Sequence, residues 1–133
     1  MSNKFVAKYD EESDVLFIYH SGKKSRGSIE LGKDIHISFS PKFEVTGLEF
    51  LEASKTLSLL SNNKITKEEL SNLKKGYLDT TIDKGLIIVR YYLFFEQKEK
   101  PIIEQLVVQD IHYKSPITGW IVLIHKDYWA RFL

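Results

Sequence analysis

In the stretch Y-D-E-E-S-D, Asp10, Glu12 and Asp14 place a carboxylate at every second residue, the spacing with which an EF-hand loop offers oxygen ligands to calcium. That loop also needs glycine directly after its third acidic position and glutamate at its twelfth, and Val15 and Ser21 stand there instead. The cluster therefore reads as a hairpin turn whose acidic side chains accept hydrogen bonds from nearby backbone N–H groups. His20, His36, His112 and His125 show none of the close-paired spacings of a metal site. Without cysteine there is no zinc thiolate site, no disulfide and no thiol nucleophile. No serine sits in a G-x-S-x-G elbow, and no glycine-rich loop is built to cradle a phosphate. Glu49 and Glu52 have the chemistry of an acid–base pair, but no neighbouring histidine completes a catalytic set. The reading yields no catalytic residue, no metal ligand and no cofactor, and its balance is against an enzyme.

The elements that must position these residues are mostly strands. Residues 5–9 and 15–19 flank the acidic turn, and 29–31 and 34–39 form a hairpin around Gly32 and Lys33. Ile35, Ile37 and Phe39 alternate with Asp34, His36 and Ser38, the mark of a half-buried strand. Residues 43–51 are the next strand, in which Gly47 marks a bulge or a close backbone approach. From Glu52 the period changes. Ala53, Leu57 and Leu60 form a helical stripe, entered without turn residues, and Glu52 is expected in the first turn, where the helix dipole favours it. Residues 61–64 read as a linker. Thr66 and Glu69 then form a capping box that opens a short helix, with Leu70 and Leu73 inward and Gly76 as its stop. Strands are expected at 77–82, 86–96, 102–112 and 118–124, followed by a terminal helical turn over 126–133 with Trp129 and Leu133 inward.

The expected fold is α+β: antiparallel β-sheet or sheets with few short helices, in one domain over 1–133 made of two similar strand-rich halves, 1–61 and 66–133. D-I-H at 34–36 and 110–112, with V-T-G at 45–47 and I-T-G at 117–119, hints at an internal repeat. Such a repeat would make His36 and His112 equivalent.

The formal net charge of +1 sets up no field toward nucleic acid or anionic membrane. The cations are nearly all lysines, solvated point charges rather than the planar forks suited to phosphate. The polar N-terminus does not resemble a signal peptide, and the longest apolar run, 86–95, is too short to span a bilayer and contains Arg90. A soluble, cytoplasmic protein without membrane or nucleic-acid partners is the expectation. The run I-I-V-R-Y-Y-L-F-F is apolar or aromatic on both faces, so both need covering, by the core or by another protein surface. Tyr91, Tyr92, Phe94, Phe95 and Trp120 are the candidate interface residues.

Two motifs, Y-D-E-E-S-D-V-L-F-I at 9–18 and V-T-G-L-E-F-L-E-A-S at 45–54, resemble the small family called domain of unknown function 2283. Its members typically begin Y-D-x-E-x-D-x-L-Y-I and end G-I-E-I-L-x-A-S. Tyr9, Asp10, Glu12, Asp14, Leu16 and Ile18 match the first motif; Gly47, Leu48, Glu49, Phe50, Leu51, Ala53 and Ser54 match the second. The resemblance covers residues 5–60. The chain departs from the family's pattern at 38–43, where such domains carry an acidic stretch with glycine, and it is about twice their typical length. What the resemblance implies is a small antiparallel sheet followed by a helix. Genes of such domains often lie beside small toxin-like proteins, which implies a partner-binding or antitoxin-like role.

The function expected is a non-enzymatic interaction module, associating with itself as a homodimer or binding a small protein partner. The alternative is a small-ligand-binding or catalytic domain that gathers acidic and histidine residues between the halves. A third reading, a weak nucleic-acid binder, needs Lys and Tyr side chains clustered on one face.

Overall fold

The computed structural model describes the backbone of residues 4–42, 44–83, 86–109, 121–125 and 128–131, and the side chains of 4–42, 44–81 and 86–108. In chain order the elements are β1 (Phe5–Asp10), β2 (Val15–His20), β3 (Gly27–Leu31), β4 (Ile35–Phe39), β5 (Val45–Phe50), α1 (Ala53–Ser61) and α2 (Lys67–Ser71). There follow β6 (Leu73–Asp83), β7 (Leu86–Phe95), β8 (Ile102–Gln109), β9 (Ile121–His125) and β10 (Tyr128–Arg131). Among the described residues the strands form a seven-stranded sheet, ordered β1-β2-β5-β4-β3-β10-β9, and a three-stranded sheet, β6-β7-β8. Every pairing is antiparallel. The fold is α+β, as the periodicity predicts.

Period-two patterning decides which face each strand buries. Leu16 and Ile18 on β2, Ile35, Ile37 and Phe39 on β4, and Leu48 and Phe50 on β5 point into one core. From the smaller sheet, Ile87, Val89, Tyr91, Leu93 and Phe95 on β7, and Leu106 and Val108 on β8, meet them. Phe50 and Tyr91 touch edge to face across the two sheets, centroids 5.2 Å apart. Helix α1 lays its predicted stripe, Ala53, Leu57 and Leu60, onto the same core. At the corners β1 runs beside β6, and β9 beside β8, so the edge strands of one sheet lie against those of the other.

Two expectations need correction. Helix α2 stops at Ser71, and Leu73 and Gly76 belong to β6 rather than to the helix and its stop. Leucine at 73 fits a helical stripe and a strand equally well, and strand pairing with β7 decides the matter. The terminal segment is also not helical: residues 128–131 are a strand, because they pair with β9 and, through Ala130, with Leu31 of β3. The pairing with β3 joins residues about a hundred positions apart, and no local pattern announces it. Both halves are strand-rich, the first carrying β1–β5 and α1 and the second α2 and β6–β10. Strands β9 and β10 extend the first half's sheet. The repeat signals at 110–112 and 117–119, with His112, Trp120 and Leu133, lie outside the described residues, as does the side chain of Trp129.

Gly76 has a steric role. A Cβ there would lie 3.0 Å from the Cβ of Ala7 on β1 and 3.2 Å from the Tyr92 carbonyl oxygen. Both neighbours are fixed to strand backbones, so the absent side chain is what lets the corner between β1 and β6 close. Gly76→Val is expected to destabilise the fold by about 1–3 kcal/mol, the usual cost of overpacking, in urea unfolding followed by circular dichroism.

Candidate functional site

The acidic turn between β1 and β2 is a densely hydrogen-bonded polar cluster. The Asp10 carboxylate stays within its own turn, accepting from the Glu12 N–H (3.2 Å) and the Ser13 hydroxyl (2.6 Å). Asp14 reaches outward. Its carboxylate accepts from the Tyr9 hydroxyl (2.7 Å), the Ser54 N–H (3.1 Å) and the Ser54 hydroxyl (2.7 Å), while its backbone carbonyl accepts from the Ala53 N–H (2.8 Å). The α1 cap residue, Glu52, makes no side-chain cap bond of its own, so the start of the helix is capped from a turn forty positions earlier in the chain.

This arrangement explains how β5 enters α1 without turn residues. Leu51 donates its N–H to the Asp34 carbonyl (2.7 Å), Glu52 adopts a left-handed conformation (φ 45°, ψ 51°), and Ala53 is already held by Asp14. Glu52 is the cap and not a first-turn residue, which corrects the expected dipole role. Asp14 is itself left-handed (φ 55°). Two such residues cost about 1–3 kcal/mol each, and charge-assisted hydrogen bonds of about 1.5–3 kcal/mol offset that cost. Burial and the neighbouring Asp14 carboxylate push the Tyr9 hydroxyl well above the ordinary tyrosine value.

The outer face of the large sheet carries Gly47 and Glu49 of the second family motif. One cross-strand row reads Lys8, Phe17, Glu49, His36, Glu30, and the next reads Val6, Tyr19, Gly47, Ser38, Ser28. In the first row His36 Nδ1 donates to Glu49 Oε1 at 3.1 Å, and Nε2 lies 3.9 Å from Glu30 Oε1. Glu49 thus turns to His36, while Glu52 sits on the entry to α1. The His36 pair lies on this outer face and not between the sheets. Among the described residues no group of three or more His, Cys, Asp or Glu side chains is placed to hold a metal ion. His20 accepts the Gly22 N–H at its Nδ1 (3.0 Å), and burial, with Lys23 and Lys4 nearby, lowers its pKa.

In the second row Gly47 leaves a gap between Tyr19 and Ser38. The register slips beside it, between Ser38 and Phe39, which is the expected bulge, but a Cβ at Gly47 would meet only ordinary contacts at 3.6 Å. This gap is the floor of a groove of about 740 Å³ walled by Phe17 and Tyr19, which touch edge to face at 5.6 Å. The reading from sequence missed this groove. Its signal was the opposite phase of Phe17 and Tyr19 to the core residues Leu16 and Ile18, legible only once Gly47 is known to lie opposite Tyr19.

The candidate interface residues divide by strand phase. Tyr91 and Phe95 are buried in the core, so they are not surface residues, while Tyr92 and Phe94 face outward. Tyr77 stacks on Tyr92 (4.4 Å between centroids) and lies nearly parallel to Phe94 (5.7 Å), and Lys75 sits over the Phe94 ring. Ile103, opposite Tyr92, is 50% exposed, and Leu86 is 40% exposed.

Comparison with known proteins agrees with the two motifs. The family described as Protein of unknown function (DUF2283) matches residues 7–54, from β1 to Ser54, the residue that Asp14 holds. The chain is also 35% identical over 120 residues to Uncharacterized protein MJ0789 of Methanocaldococcus jannaschii, an alignment that covers 90% of this chain and 98% of that protein. The likeness therefore extends through the second sheet. No solved structure matches the chain. Among the described residues no helix is long and apolar enough to cross a membrane.

Asp14→Ala is expected to cost about 2–4 kcal/mol in urea unfolding, because it removes the cap and strands Tyr9 and Ser54. Asp14→Asn, which keeps an acceptor and tolerates the left-handed backbone, is expected to cost about 1 kcal/mol. Tyr9 also sets an alkaline limit. Its pKa is raised on folding, so its contribution is complete below the unfolded value of about 10 and falls as pH rises beyond it. The stability difference between wild type and Tyr9→Phe should therefore shrink when unfolding is measured from pH 9 to 11.

Proposed function

The chain belongs to the DUF2283 family, and we propose that it acts as a non-enzymatic interaction module whose contact surface is the outer face of the three-stranded sheet. One observation carries the reading: among the described residues Tyr77, Tyr92, Phe94, Ile103 and Leu86 form an apolar surface on the side facing away from the core. A second copy of the chain is its simplest occupant, since a two-fold contact needs only one self-complementary patch. Capture of a small protein partner, as an antitoxin does, would use the same face.

The nucleic-acid reading has less support. Lys75 and Arg90 do share this face with aromatic rings, but Tyr77 and Tyr92 spend their flat surfaces on each other rather than offering them to bases. The small-ligand alternative, built on acidic and histidine residues between the halves, has less support, since His36 lies on the outer face of the large sheet.

Sedimentation equilibrium from 1 to 100 µM tests the proposal. The wild type is expected to be dimeric at the upper end, and Ile103→Glu to be monomeric throughout with unchanged unfolding, Ile103 being half exposed. A wild type that stays monomeric over the whole range would overturn self-association.

A further inference from the structure

The groove on the outer face of the large sheet is separate from the proposed interaction surface, and its geometry points to a binding site for a flat aromatic molecule that carries one anionic group. Its volume, about 740 Å³, lies within the ~300–1,000 Å³ usual for small-molecule sites. Its shape comes from a missing side chain. Gly47 stands between Tyr19 and Ser38 in the cross-strand row, leaving a slot one residue wide whose floor is strand backbone and whose wall is the Phe17–Tyr19 pair. Phe17 is 38% exposed, so apolar ring surface is open to a ligand. A planar ring fits such a slot, because aromatic faces and edges stack on one another at these spacings.

The charges around the slot place an anionic group at its Lys8 end, away from Asp10. The Asp10 carboxylate keeps its charge but turns both oxygens to its own turn, the Tyr9 hydroxyl is held by Asp14, and Lys23 is paired with Glu44 at 2.7 Å. Among the lining residues Lys8 is the cation without an ion pair, and its Nζ lies 6.0 Å from the Tyr19 ring centroid, on the wall where a stacked ligand would sit. Ser38 adds a hydroxyl at the far side of the floor, 3.7 Å from the Cβ position of Gly47. Ring surface, a narrow floor and an ammonium with no ion pair beside the Tyr19 ring together suit an aromatic carboxylate, sulfonate or phosphate.

The test is an amide chemical-shift titration of the ¹⁵N-labelled protein with 2-naphthoate, alongside neutral 2-naphthalenemethanol and non-aromatic cyclohexanecarboxylate. Saturable shifts are expected at Tyr19, Ser38 and Gly47 with naphthoate, with weaker binding of both comparison compounds. Lys8→Glu, an exposed substitution, should weaken naphthoate binding about threefold to fivefold, the size of one exposed ion pair. Gly47→Leu, whose Cβ the fold accommodates, should abolish it by filling the slot. The proposal is overturned if naphthoate shifts only Tyr92 and Ile103 on the other sheet, if Lys8→Glu binds as tightly as the wild type, or if no shift saturates.

Discussion

A single carboxylate joins the hairpin, the sheet and the helix. Asp14 sits at the end of the first turn, yet its oxygens satisfy the start of α1 and the hydroxyl of Tyr9, and its backbone carbonyl takes the N–H of Ala53. Because β5 lies between β2 and β4, the chain must leave the middle of the sheet and turn at once over its face. Two left-handed residues make that turn possible, and neither is glycine. The turn is stable only as long as Asp14 holds the other side of it, and the packing of Leu57 and Leu60 follows from where that holds the helix. The two family motifs thus describe the two ends of one hydrogen-bonded contact.

That contact also shows where sequence reasoning stops. The alternation in β4, the stripe of α1 and the Thr66–Glu69 capping box were all legible, because each is a pattern among residues a few positions apart that the structure realises locally. The acidic cluster was correctly read as a turn, but its reach to Ser54 was not visible, since nothing in residues 10–14 says which distant N–H groups will be near. Leu73 and Gly76 failed for a similar reason: a leucine three positions after another suits a helix, and only Ala7, on a strand far away in sequence, reveals why glycine is needed. In β7 the run of aromatic residues was visible, but not which rings face inward, because both phases of the strand are apolar.

The two sheets differ in how they use their outer faces. The large sheet exposes polar rows, His36 between two glutamates and a groove beside Gly47, on a surface that its own side chains largely satisfy. The small sheet exposes rings and aliphatic groups on either side of Arg90. Apolar area on a three-stranded sheet gains free energy when covered, and polar rows of matched charge gain little. The asymmetry separates an apolar outer face from a mainly polar one.

The corners carry a consequence for recognition itself. With β1 beside β6 and β9 beside β8, the outermost strands are turned toward each other rather than toward an incoming chain. A visiting strand that sought to lengthen either sheet would first have to part that seam, against the close fit of Gly76 on Ala7. At these two seams backbone hydrogen bonds, which read no sequence, are withheld, and contact there falls to side chains. Substitutions on the surface beside them would then alter the chemistry on offer while the scaffold beneath stays the same.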